Sequence, residues 1–99
     1  MARYDVFPNP GGPGYLLEVQ ADLLDELNTR VVVPLVPYVE KLRVVRKLNP
    51  VFSINGKHYA MFTHLIATVP AVRLAESRIN LLPHHDQIVG ALDMLFQGF

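Results

Sequence analysis

Only one stretch of this chain keeps a long helical period, and it is the last one. From Pro83 to Gln97 the apolar residues Ile88, Ala91, Leu92, Leu95 and Phe96 fall on a single stripe. Pro83 suits a first helical turn, and Asp86 complements the positive end of the helix dipole. Asp86, Gly90, Asp93 and Gln97 follow one another at intervals of four, three and four and share the other face. Gly98 stands where a helix C-terminus favours positive φ. Phe99 then lies just past the helix, either folded back on Leu95 or offered to a partner; the second reading makes the tail a functional tip.

Everything before the helix reads as strand and turn. Arg3 to Phe7 alternates as a short strand, and Tyr15 to Gln20 is a second. Between them Pro8-Asn9-Pro10-Gly11-Gly12-Pro13-Gly14 excludes regular structure and predicts a surface loop closing a hairpin. Ala21 to Arg30 is a turn-rich crossing with Leu23, Leu24 and Leu27 on one side. Val31-Val32-Val33-Pro34-Leu35 is β-branched and continuous, as in a buried strand, with Pro34 and Pro37 predicting an edge or a bulge. Tyr38 to Leu48 fits either one helical turn or an irregular basic arm. Asn55-Gly56 between Val51–Ile54 and Lys57–Phe62 predicts a type I′ hairpin. Thr68 to Leu74 predicts one more strand. Five or so strands and one helix make a small, mainly antiparallel α+β domain over residues 1–99.

Half of the 99 residues (51%) are apolar, enough for a core. A domain of this length still buries only about 60–70% of its unfolded surface, which favours a dimer. There is no cysteine, hence no disulfide and no thiolate chemistry. No apolar run follows Arg3, so no secretory leader is expected, and no membrane span is long enough; a cytoplasmic protein is expected. Formal net charge is zero but segregated. Asp5, Glu18, Asp22, Asp25 and Glu26 face only Arg3, whereas Arg30, Lys41, Arg43, Arg46, Lys47, Lys57 and Arg73 face only Glu40. A basic middle of this kind meets an acidic peptide or nucleic acid, or is a solvated face. No aromatic residue interleaves with its bases, as single-strand binding would want.

Catalytic and metal chemistry find no pattern. His84 and His85 are adjacent, so their side chains diverge by about 100° on a helix and share no ligand face. His58 and His64 have no carboxylate nearby in sequence. The Pro/Gly loop opens no helix and so lacks the context of a phosphate loop. Ser53 and Ser77 sit in no nucleophile motif. Asp22 and Asp25 read as a solvated turn. No cofactor and no metal are expected.

The chain resembles the CcdB family of toxins from toxin–antitoxin pairs. The resemblance lies in Leu17-Glu18-Val19-Gln20-Ala21-Asp22-Leu23-Leu24-Asp25, in Thr29-Arg30-Val31-Val32-Val33-Pro34-Leu35, in Ala67-Thr68-Val69-Pro70 and in Ala91-Leu92-Asp93-Met94-Leu95-Phe96-Gln97-Gly98-Phe99. It runs in order from about Tyr15 onward; the Pro/Gly loop before Tyr15 does not match.

The resemblance implies an SH3-like barrel of the CcdB/Kid/MazF kind with a C-terminal helix, forming a homodimer. It implies also that the protein is not an enzyme; members bind the DNA gyrase A subunit and trap the cleaved gyrase–DNA complex. A CcdA-like antitoxin wraps a disordered segment around the toxin and releases it, and operator DNA is met only through that antitoxin. By the same resemblance, gyrase contacts map to Gln97, Gly98 and Phe99, to Asp93, and to Ala21, Leu23 and Leu24. The best-known members end in Trp-Gly-Ile where this chain has Gln-Gly-Phe. The basic residues Lys41, Arg43, Arg46 and Lys47 are the expected antitoxin contacts. Two rivals remain: a MazF/Kid-like endoribonuclease on the same barrel, for which Arg30 and Arg73 are the available bases, and a relative that binds antitoxin without poisoning gyrase.

Overall fold

Strand β3 (Thr29–Pro37) is the axis of the molecule. One edge pairs antiparallel with β2 (Tyr15–Glu18), in a register that sets Leu17 opposite Val33. The other edge takes two partners in succession. Thr29 to Val32 pair with β6 (Ala67–Pro70), and Leu35 to Pro37 pair with β5 (Lys57–Met61). The computed structural model describes every residue except Met1, Arg78 and Phe99. Its sheet runs β4 (Val51–Ile54), β5, β3, β2, β1 (Asp5–Pro8), β7 (Ile79–Asn80), with β6 alongside β3. The sheet curls into a half-barrel, and helix α1 (His85–Gln97) comes after it. This is the mainly antiparallel α+β barrel that the sequence implied.

Alternation along the central strands explains the apolar runs. Val6, Leu17, Val33 and Leu35 face the main core with Phe52, Ile54, Tyr59, Met61, Ile88 and Ala91. Their chain neighbours Phe7, Leu16 and Val32 face the opposite side, against Leu74. A strand buried on both faces needs no polar position, and so Val31 to Leu35 reads as one continuous apolar run.

Pro34 lies in the central strand, not at the edge or bulge expected of it. Its carbonyl accepts the Phe62 N–H at 2.9 Å, so its missing donor also faces the edge where β6 has ended and β5 begins. There the chain turns through a 3₁₀ segment, Thr63–Leu65, and little ladder is lost. Other boundaries shift for local reasons. β1 starts at Asp5 because Tyr4 takes a positive φ of 73°. The expected strand to Leu74 stops at Pro70 and becomes a 3₁₀ turn, Ala71–Arg73, whose end drops Leu74 into the second core. β7 is only two residues long and pairs Asn80 with Asp5 and Ile79 with Val6. Tyr38 to Leu48 is an irregular arm.

The helix begins with a 3₁₀ turn, Leu82–His84, that carries the expected proline. Ile88 and Ala91 are fully buried and Leu92 packs beside them. Phe96, assigned to the same stripe, is instead 70% exposed. The helix closes on Gly98 in the left-handed region (φ 81°), whose N–H donates to the Met94 carbonyl at 3.1 Å.

Two glycines distinguish two kinds of constraint. Gly56 completes the type I′ turn with Asn55 (φ 81° and 52°) and has open space around its α-carbon. Gly14 is also left-handed (φ 91°), but a β-carbon there would run into the Leu35 carbonyl oxygen of the neighbouring strand. Gly56→Ala is therefore expected to cost about 1 kcal/mol, from backbone strain alone. Gly14→Ala adds a backbone clash and is expected to cost upwards of about 2 kcal/mol. Chemical denaturation of both variants checks the order; equal losses would show that the β1–β2 loop moves aside.

Candidate partner-binding site

The turn after β2 is an apolar surface held from underneath by polar groups. Ala21 opens a 3₁₀ turn at Asp22–Leu24. Leu23 is 92% exposed, with Leu24 and Leu27 about half exposed. These leucines have little core to rest on, so something else must fix the loop. Arg30 does so from the first turn of β3. Its guanidinium donates to the carbonyls of Leu27, Thr29 (2.8 Å) and Asp25 (2.7 Å), and it pairs with the Asp25 carboxylate at 3.2 Å. Gln20 adds an amide clasp: its Nε2 donates to Leu24 O at 3.0 Å and its Oε1 accepts the Val31 N–H at 3.1 Å. From the N-terminal side the Arg3 N–H donates to Asp22 Oδ1 at 2.6 Å.

Beneath Arg30 lies Glu18, 1% exposed. Its Oε1 is 3.9 Å from Arg30 Nε, too long for a hydrogen bond, and among the described residues neither atom has another partner. Burial pushes the Glu18 carboxyl up to about 7; Arg30 opposes this rise, while Asp25 and Asp5 add to it. Arg30 itself is buried. Its two terminal nitrogens are spent on the loop, so it is not the RNA-facing base that a ribonuclease reading would need. Arg73 is exposed at the end of its 3₁₀ turn.

The second set of expected contacts rides on α1. Gln97 and Gly98 are exposed at the helix end and Asp93 is half-buried. Phe99, the expected tip of the tail, lies outside the described residues. Among the described residues Phe96, 70% exposed, is the exposed aromatic of this end. Helical periodicity puts it at the margin of the apolar stripe, so spacing alone did not separate it from the core residues. The turn is anchored to β2 and β3, whereas the helix packs on the Thr63–Leu65 segment. Val72, 93% exposed, is an apolar surface residue that the sequence reading did not single out. It follows Ala71, whose N–H donates to Asn28 O at 2.8 Å.

The basic arm is a third feature. Lys41, Arg43, Arg46 and Lys47 are all exposed, and among the described residues the only ion pairs are those of Arg30. Its far end is pinned by buried Asn49, whose Oδ1 accepts Val45 N–H (2.9 Å) and whose Nδ2 donates to Met61 O (3.0 Å), and by Thr63 Oγ1 donating to Leu48 O. The adjacent histidines serve the helix start. His85 Nδ1 meets the Tyr4 hydroxyl at 2.6 Å, and His84 lies 5.0 Å from the Phe52 ring.

The raised carboxyl gives a pH dependence with a definite sign. A folded-state value above the unfolded 4.5 means that the native state holds the proton more tightly, so stability falls as pH rises from 4.5 through about 7. The loss between pH 5 and 8 is expected to be on the order of 2 kcal/mol. Denaturation of Glu18→Gln across that range checks it: the variant should lose this slope, and an unchanged slope would place the titration elsewhere. Arg30→Met leaves the Glu18 charge without its cation and is expected to cost roughly 3–5 kcal/mol at pH 8, read by the same method.

Comparison with known proteins agrees with this architecture. The structure superposes on one solved as an endoribonuclease in complex with its cognate antitoxin from Mycobacterial species, with a TM-score of 0.78 at 18% identity, covering 97% of this chain and 94% of that one. At that identity the likeness speaks for the fold. A model of the CcdB protein family matches residues 3–98. The exposed leucine turn, the buried Glu18 and Arg30 beneath it and the glycine-capped helix end all fall inside that match, and the chain belongs to the CcdB family.

Proposed function

We propose that this protein is the toxin of a type II toxin–antitoxin pair and acts without catalysis, by binding the DNA gyrase A subunit and holding the enzyme on cleaved DNA. Family membership supports the toxin role. The observation that carries the gyrase reading is the presentation of Leu23 at 92% exposure, on a loop braced by Arg30, at a position where the family resemblance puts a gyrase contact. An apolar side chain this exposed, on a loop held this firmly, is the form of a docking surface and not of a core. At the helix end Gln97, Gly98 and Asp93 are the corresponding contacts, and exposed Phe96 joins them. The active form is a homodimer, and a CcdA-like antitoxin lies against the basic arm through Lys41, Arg43, Arg46 and Lys47.

The solved neighbour is an endoribonuclease, which keeps RNA cleavage as the second reading. Against it stands the internal use of Arg30, which leaves Arg73 as the exposed base of the two.

Gyrase cleavage-complex formation and RNA cleavage, run side by side on the purified protein, separate the two. The expected outcome is trapped gyrase with intact RNA; cleaved RNA with free gyrase reverses the assignment. Leu23→Asp and Phe96→Ala should each weaken gyrase A binding by about 1–3 kcal/mol with little change in melting temperature. Gln97→Trp should strengthen it by on the order of 1–2 kcal/mol if a cation on gyrase meets the ring. Sedimentation at micromolar concentration should report about twice 11.1 kDa; a clean monomer removes the dimer from the proposal.

A further inference from the structure

Among the described residues strand β4 has a ladder partner on one side only. Its register with β5 sets Ile54 opposite Lys57 and Phe52 opposite Tyr59, around a two-residue type I′ turn. Such a turn closes on a hydrogen-bonded pair. At the far end the Met61 N–H donates to Pro50 O at 2.8 Å. Alternation between these fixed points turns the backbone N–H and C=O of Val51 and Ser53 away from β5, and both residues are exposed. Natural edges of this kind are commonly guarded by a lysine, a proline or a bulge within the strand. Val51-Phe52-Ser53-Ile54 contains none of these.

The ground beside this edge is shaped and charged. A cavity of about 400 Å³ lies against it, lined by Tyr38, Val44, Arg46, Val51 and Gln87 among others. A second, of about 210 Å³, adjoins it between Arg46, Lys47 and Asp86. Among the described residues Asp86 is the one acid lining either space; Arg46 and Lys47 outweigh it, with Lys41 and Arg43 further along the same arm. Pinning of the arm by Asn49 and Thr63 makes this ground preformed.

We propose that the free edge of β4 receives an extended acidic segment of a partner protein as an added strand, with Val44 and Tyr38 taking its apolar side chains and Arg46 and Lys47 its carboxylates. Unpaired backbone groups at every second residue favour an extended occupant over a helix. The excess of unpaired cations selects an acidic one. The inference rests on the toxin–antitoxin reading, in which the segment belongs to the antitoxin, and it specifies how that segment is held.

The test uses the intact protein and a defined probe: a capped twelve-residue peptide alternating valine with glutamate, and a valine–lysine counterpart. Amide hydrogen exchange should show Val51 and Ser53 gaining at least tenfold protection with the glutamate peptide and none with the lysine peptide. Ser53→Pro deletes an outward N–H without removing a β5 hydrogen bond. It should weaken peptide binding at least tenfold, as should the pair Arg46→Glu and Lys47→Glu at low salt. Unchanged exchange at millimolar glutamate peptide, or equal binding of the lysine peptide, overturns the proposal. Protection already present in the free protein and lost on dilution would assign the edge to a second copy and also overturn it. The exchange readout needs no variant, so it stands even if Ser53→Pro fails to fold. Gyrase trapping uses no peptide, so failure here leaves the toxin reading to be judged separately.

Discussion

The double use of one edge of β3 is the constraint on which the rest of the structure depends. A nine-residue strand serves two shorter strands in turn. The change of partner falls where Pro34 removes a donor and the chain between β5 and β6 turns through Thr63–Leu65. That turn gives α1 a surface to pack on, and its Thr63 fastens the end of the basic arm. The curl of the sheet and the placing of two of the three candidate binding features thus trace to a single proline-marked exchange. A straight β5–β6 strand would remove one of the surfaces that the helix packs on.

The leucine turn shows a different economy. Its apolar side chains point outward, so the hydrophobic effect does not hold it down. Hydrogen bonds from Arg30 and Gln20 to backbone carbonyls do that instead. A charged group buried for this task needs a counter-charge, and Glu18 supplies it at 3.9 Å, too far for the two inner atoms to hydrogen-bond each other. Ion pairs of this kind contribute little net stability but are costly to break singly. The arrangement gives up stability in exchange for a fixed apolar loop, the trade expected of a surface meant to be bound.

What the sequence disclosed depended on how local the cause was. Asn55-Gly56 and the Pro83–Gly98 helix were legible because turn geometry and helix capping are settled within a few residues. Pro34 was misplaced because its neighbourhood is set by Phe62, on a different strand. Two-residue β7 leaves no periodic signal, since its pairing is decided by β1. Tyr4 looked like an ordinary strand residue, yet its positive φ serves long-range bonds to Glu18, Leu81 and His85. Of the candidate site, Leu23 and Leu24 were found by resemblance and the basic arm by charge segregation. Phe96 was lost to the core because periodicity marks a face without saying how far along it the packing extends.

The rivet at Tyr4 bears on the order in which the molecule is assembled during synthesis. The Tyr4 carbonyl accepts the Leu81 N–H at 2.9 Å, its hydroxyl meets His85, and β1 is closed on its outer side by β7. Residues 4–6 therefore wait for partners more than seventy residues further along the chain. Until residues 79–85 arrive, β1 has an open edge and the Tyr4 ring has no lid. Nascent chains would expose that edge until β7 emerges, and β1 would gain its outer partner only then.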